Sequence, residues 1–139
     1  MPPAHWPSPA VAVPSPWPVP PVGTAMGRGL RCRCPACGQT PLFAGFLRVA
    51  PVCAHCSAPL GLARADDAPP YFTIVVVGHI VVALLVLVQR GWNPSSATMT
   101  AIFLPLTLVL SLALLRPIKG ATVGVMLTMG LMKPAPIPG

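Results

Sequence analysis

Four of the five cysteines in this 139-residue chain fall in two pairs, each with two residues between the thiols. Cys34-Pro35-Ala36-Cys37-Gly38 is the first knuckle, and Cys53-Ala54-His55-Cys56-Ser57 follows it after an interval of 15 residues. A C-x2-C-x15-C-x2-C pattern is metal-ligand spacing. One tight turn delivers two thiolates to neighbouring vertices of a tetrahedron. Pro35 presets the backbone of that turn, and Gly38 permits a left-handed residue after it. Four thiolates fill the shell of a Zn²⁺ ion and leave no vertex for water, so the expected zinc site is structural and not catalytic. Iron is the minor alternative, because an all-sulfur tetrahedron also holds it. Four unrelated thiols are the competing reading. His55 reads as a solvent-facing spacer. Cys32 is left over, either as a free thiol or as an alternate ligand through Cys32-Arg33-Cys34.

Asp66 and Asp67 are the only acids. They can cap a helix at its positive end. As a catalytic pair they lack a recognisable nucleophile or open metal beside them. There is no recognisable Gly-rich phosphate loop or Ser–His–Asp arrangement either, so no enzymatic activity is expected.

The elements that must position the cysteines are those of a membrane protein. The chain is 54% hydrophobic and 8% charged, whereas soluble domains carry about a quarter charged residues. Its 21 prolines exclude a chain that is helical throughout. Residues 1–27 hold nine prolines and no charge. They read as a Pro-rich disordered tail, with a polyproline recognition arm as the alternative; translation from Met26 would omit most of it. Residues 28–67 read as a small ribbon, too short for a self-sufficient core without a metal. Residues 71–88 and 97–115 are uncharged runs of 18 and 19 residues, long enough as helices to cross a bilayer. Residues 89–96 join them as a connector, so the two form a hairpin. Pro105 is expected to kink the second span and to leave the Ala101 carbonyl without its helical partner. Residues 116–139 form a tail, in which the apolar stretch 121–132 is too short to cross and reads as an interfacial helix, with a re-entrant segment as the alternative. The expected fold is thus a four-cysteine zinc ribbon of β-hairpin and knuckles, then an α-helical two-span transmembrane hairpin.

The net charge of +7 invites a nucleic-acid partner. Eight of the nine cations, however, precede the first span or follow the second, and only Arg90 lies in the connector. The positive-inside rule then places both termini in the cytoplasm, a reducing compartment where thiolates bind metal in preference to forming disulfides. A zinc–tetrathiolate centre offsets much of the charge of residues 28–67, which argues against nucleic acid; Arg28, Arg31 and Arg33 suit anionic lipid headgroups instead.

His79 lies mid-way along the first span. An imidazole at that depth is a functional candidate by default. It can ligate haem or copper, relay protons, or bond across to Thr107, Ser111 or the Ala101 carbonyl. The soft donors Met99 and Met126 fall elsewhere along the chain.

These residues resemble the domain-of-unknown-function-983 family, small bacterial membrane proteins with an N-terminal zinc ribbon. The likeness covers roughly residues 27–125. It rests on Cys34-Pro35, Cys37-Gly38, Leu42-Phe43-Ala44-Gly45-Phe46-Leu47 and the Cys53/Cys56 pair. It continues through Asp66-Asp67-Ala68-Pro69, Tyr71-Phe72-Thr73-Ile74, Val77-Gly78-His79-Ile80-Val81-Val82 and Leu115-Arg116-Pro117-Ile118-Lys119-Gly120. Ser57 stands where the family usually has glycine, and Met126-Leu127 replaces a usual Gln-aromatic pair. The resemblance implies no established activity. It implies a gene neighbourhood with haem–copper oxidase assembly factors. The expected function is that of a non-enzymatic scaffold or accessory protein in the bacterial inner membrane, docking a protein partner through Phe43, Phe46 and Leu47 unless these form the ribbon's own core. A metal- or haem-handling factor using His79 and a membrane-tethered nucleic-acid ribbon are the alternatives. Two helices make a thin bundle, which leaves room for homo-oligomers.

Overall fold

The computed structural model describes residues 16–63 and 68–132. Asp66 and Asp67, and with them the expected helix cap, lie outside the described residues, as does the greater part of the Pro-rich segment.

Among the described residues, three α-helices carry the fold: α1 (Val22–Leu30), α2 (Ala68–Trp92) and α3 (Ser96–Thr128). Pro69 and Pro70 open α2 where the backbone N–H groups have no helical partner in any case. Asn93, at φ 44°, turns the chain after α2. Ser95 caps α3, its hydroxyl accepting from the Thr98 N–H at 3.3 Å. The expected eight-residue connector therefore shortens to 93–95. Arg90 and Gly91 belong to α2, because every backbone group in this apolar setting is best satisfied by continuing the helix.

Both long helices are apolar on nearly every side. Ile74 and Leu87 on α2 and Leu104 and Val109 on α3 are 65–69% exposed. Where the two helices run side by side, Thr73, Val77 and Phe103 form a narrow covered seam. A helix pair that is apolar on nearly every side has the surface of a membrane hairpin. Both helices are long and apolar enough to cross a bilayer.

The second helix does not stop where its sequence suggests. Arg116, Pro117, Lys119 and Gly120 read as an exit from the membrane, yet α3 runs on for 33 residues in all, with Pro105 and Pro117 both inside it. At about 1.5 Å rise per residue, α3 is about 50 Å long and outreaches its 25-residue neighbour α2. Residues 121–128 of the stretch expected to be an interfacial helix are instead the last two turns of α3. Val123 and Leu127 are buried there in one core with Cys34, Leu42, Cys53 and Leu60. Gly130, at φ 67°, ends the helix: its N–H bonds the Leu127 carbonyl at 3.4 Å and the Leu131 N–H bonds the Met126 carbonyl at 2.9 Å, a Schellman stop.

Residues 22–27 also depart from the expected tail. They form most of α1, which lies on α3 through small residues. Ala25 and Gly29 are buried and face Gly120 and Gly124. The two helices carry matching small-x3-small steps, which let backbones approach closely. Trp17 packs against the same core from the segment before α1.

The cysteine module is held by turns. Two isolated bridges, Arg33 with Pro41 and Phe43 with Val49, are its only β pairings among the described residues, so the expected β-hairpin ribbon is not formed. Pro41, Pro51 and Pro59 lack the N–H groups that a ladder needs. A short 3₁₀ turn, Leu60–Leu62, closes the module.

Candidate metal centre

The two knuckles are near copies of each other. In each, the residue after the second cysteine donates its N–H to the carbonyl of the first: Gly38 to Cys34 at 2.8 Å and Ser57 to Cys53 at 3.0 Å. Each of these residues has positive φ, 73° for Gly38 and 62° for Ser57. The first cysteine of each pair donates back to the far side of its loop, Cys34 to the Thr40 carbonyl and Cys53 to the Ala58 carbonyl. Glycine meets this backbone requirement without strain; serine does not.

Together the knuckles bring Cys34, Cys37, Cys53 and Cys56 to one point, with all four Sγ atoms within 4.8 Å of one another. Cys34 and Cys56 are 3.9 Å apart and Cys37 and Cys53 3.7 Å. A metal–sulfur bond of about 2.3 Å in a tetrahedron gives an edge of about 3.8 Å. These separations suit four thiolates around one ion and are far beyond disulfide length. The donor set thus fits a metal ion, and all four ligand candidates from the sequence are assembled.

The surroundings act on the thiols in opposite senses. Burial pushes the Cys34 thiol up to about 12, against the lowering effect of the Cys37 and Ala36 N–H groups. Burial also raises Cys56. At Cys53 burial acts in the same upward sense, but the Cys56 N–H, the Thr40 hydroxyl and the His55 N–H together outweigh it and bring the thiol down to about 6. Thr40 Oγ1 lies 3.1 Å from Cys53 Sγ, and the Gln39 N–H approaches Cys37 Sγ at 3.5 Å. A cation supplies the remaining charge that buried Cys34 needs to ionise.

Two arginines fix the module to the helices. Arg28, on α1, donates from Nη1 to the Ala36 carbonyl at 2.5 Å inside the first knuckle. Its spacing from Cys34 offers no signal in the sequence. Arg116, on α3, lies over the Phe43 ring at 5.3 Å and the Phe46 ring at 5.7 Å, within the range of cation–π attraction. Phe43 is therefore core, while Phe46 remains half exposed.

Cys32 stands apart from the four-sulfur group. It is the left-handed residue after α1, at φ 57°. Its N–H bonds the Gly29 carbonyl at 2.8 Å, and the Arg33 N–H bonds the Arg28 carbonyl at 3.0 Å. This is a second Schellman stop, with cysteine in the usual glycine position.

His79 does not reach α3. Thr73 and Val77 form the covered side of α2, and two further residues turn about 200°, so His79 faces outward. Its Nδ1 lies 2.7 Å from the Val75 carbonyl. The carbonyl can only accept, so Nδ1 carries the proton, which in the neutral ring leaves the lone pair on Nε2. The expected partner Thr107 bonds the Phe103 carbonyl of its own helix at 2.6 Å.

A family model described as a protein of unknown function (DUF983) matches residues 43–127, more than half of the chain. The chain belongs to the DUF983 family. The match covers Cys53, Cys56, all of α2 and all but the last residue of α3; the first knuckle lies upstream of it, and the fold brings Cys34 and Cys37 to the matched pair. Neither a curated protein nor a solved structure matches the chain.

Proposed function

We propose that this DUF983 protein is a non-enzymatic scaffold or accessory protein of the bacterial inner membrane, built around a structural zinc centre. The observation that carries this reading is the closed set of four Sγ atoms within 4.8 Å, seated on the end of a helix that continues from the membrane. Four thiolates leave no open coordination position for substrate. The ion ties together two knuckles, which are tied in turn to α1 by Arg28 and to α3 by Val123 and Leu127. The module is a rigid platform on a membrane stalk, and the half-exposed Phe46 at its edge is the side chain we assign to a protein partner.

The orientation follows from charge. Among the described residues, Arg28, Arg31, Arg33, Arg48, Arg116 and Lys119 lie toward the module and only Arg90 lies toward the 93–95 turn. The positive-inside rule puts the module and both termini in the cytoplasm, where reduced thiols and zinc are stable partners. Purification of the full chain in detergent under reducing conditions, with metal analysis and identification of co-purifying proteins, tests the reading. One zinc per chain together with a reproducible partner supports it; an ordered, metal-free module rejects it.

One observation favours a second reading, a metal- or haem-handling role in oxidase assembly. His79 presents Nε2 on the outer side of α2, with Nδ1–H held by Val75, the tautomer that a metal-ligating imidazole uses. Loss of a haem or copper signal in His79→Ala, with the zinc unchanged, supports this role; normal oxidase metallation in that variant rejects it.

A further inference from the structure

We propose that a slot between the three helices binds one acyl chain of an anionic phospholipid. Because α1 meets α3 through Ala25 and Gly29, its Met26 and Leu30 point elsewhere and remain 41% and 46% exposed. They form one wall of the slot. Phe72 and Val76 of α2 form the second, and Ile118 and Val125 of α3 the third, around a volume of about 310 Å³. The polar side chain in the lining is Thr122, and its hydroxyl donates to the Ile118 carbonyl at 2.9 Å. The slot therefore offers hydrocarbon walls and no free polar side chain, which selects an apolar chain over any hydrophilic ligand.

Its place in the fold selects the kind of lipid. The slot lies beside the first turns of α2, where a bilayer's hydrocarbon gives way to headgroups. Arg31 directly follows Leu30 and Lys119 directly follows Ile118 in the chain, so two cations share with the slot the same end of α1 and the same turn of α3. Arg28, Arg33, Arg48 and Arg116 at the same end outnumber the chain's two acids, Asp66 and Asp67. A lipid phosphate without a compensating headgroup cation matches that field, whereas a zwitterionic headgroup does not. A second copy of this chain would bring the same cations against their equals, which disfavours it as the occupant.

The test uses the full chain, stripped of lipid in detergent and titrated with dioleoyl phosphatidylglycerol, dioleoyl phosphatidylcholine or inorganic phosphate, with bound lipid read by native mass spectrometry. The expected result is one retained phosphatidylglycerol per chain, preferred over phosphatidylcholine by roughly tenfold or more for two nearby cations. Val125→Trp, which fills the slot, abolishes retention; Val76→Trp fills it from the α2 side and serves where the first variant loses its helical circular dichroism. The double variant Arg31→Gln/Lys119→Gln retains both lipids alike. Equal retention of both lipids by the unaltered chain overturns the proposal, as does undiminished retention in a folded slot-filling variant. Competition by inorganic phosphate at the lipid's own concentration also overturns it, by showing an anion site without a chain site.

Discussion

Gly29 of α1 and Gly120 of α3 meet backbone against backbone: a Cβ placed on either would collide with the main-chain carbonyl of the other. One turn along, a Cβ on Gly124 would come within 2.6 Å of the Ala25 carbonyl oxygen. Backbone cannot yield as a flexible side chain does. Gly120→Val is therefore expected to push α1 off α3 while leaving α2 and the start of α3 in the membrane. Limited proteolysis in detergent should cut the variant between α1 and the first knuckle, with unchanged membrane fractionation. The destabilisation should be several kcal/mol, in the upper range for single substitutions. An unaltered proteolysis pattern would show that the close approach is not needed.

Ser57 offers the opposite kind of change. It holds φ 62° with an exposed side chain, at the position its pseudo-equivalent Gly38 occupies in the first knuckle. A non-glycine residue in this region costs about 1–2 kcal/mol, and glycine gives back part of that through its greater freedom in the unfolded chain. Ser57→Gly should stabilise the module by up to about 1 kcal/mol and slow metal transfer to a chromophoric chelator. A faster transfer would contradict the knuckle geometry.

How much of this could be read beforehand depends on the range of the interaction. The cysteine quartet was legible because ligand spacing is a local property of each turn. The two spans were legible because apolarity all round a helix needs no knowledge of neighbours. The continuation of α3 was not: Pro117, Lys119 and Gly120 carry the local marks of a helix end, and the helix goes on where Val123 and Leu127 pack on the cysteine module and Gly120 and Gly124 pack on α1. The start of α1 was hidden by the prolines before it. Its one signal was the matched spacing of Ala25 with Gly29 and of Gly120 with Gly124, a pattern that acquires meaning once the two segments are side by side. Of the β-hairpin expected between the knuckles, only the Phe43–Val49 bridge and its neighbouring hydrogen bonds form among the described residues, with Pro41 and Pro51 bounding the paired stretch. His79 stood out in the sequence as a polar residue in an apolar run, but which way it faces depended on the seam chosen by Thr73 and Val77.

The separation of Cys32 from the four-sulfur group gives a clean contrast. Cys34→Ser removes one ligand of a closed shell and should reduce bound metal well below one ion per chain, since three thiolates and a hydroxyl make a far weaker site. Cys32→Gly should leave the metal content at the level of the unaltered protein and relieve the strained stop after α1. Metal analysis of the two purified variants, run in parallel under reductant, checks both. Loss of metal in Cys32→Gly would make Cys32 a ligand after all.

Leu127 tests whether the membrane helix and the metal centre are one folding unit. It lies 71 residues beyond Cys56 in sequence yet shares a core with Cys34 and Cys53, with 4% of its surface exposed. Leu127→Ala removes most of that side chain from a packed core, which costs about 2–5 kcal/mol. The cavity forms under the knuckles, so the loss should appear as faster release of the metal to a competing chelator and a lower thermal midpoint of the module. The membrane hairpin contributes nothing to that core beyond α3 itself, and its helicity should survive. Leu112→Ala, at a 48% exposed position within the span, is the control and should leave metal release unchanged. Equal behaviour of the two variants would mean that the module keeps its metal without the helix beneath it.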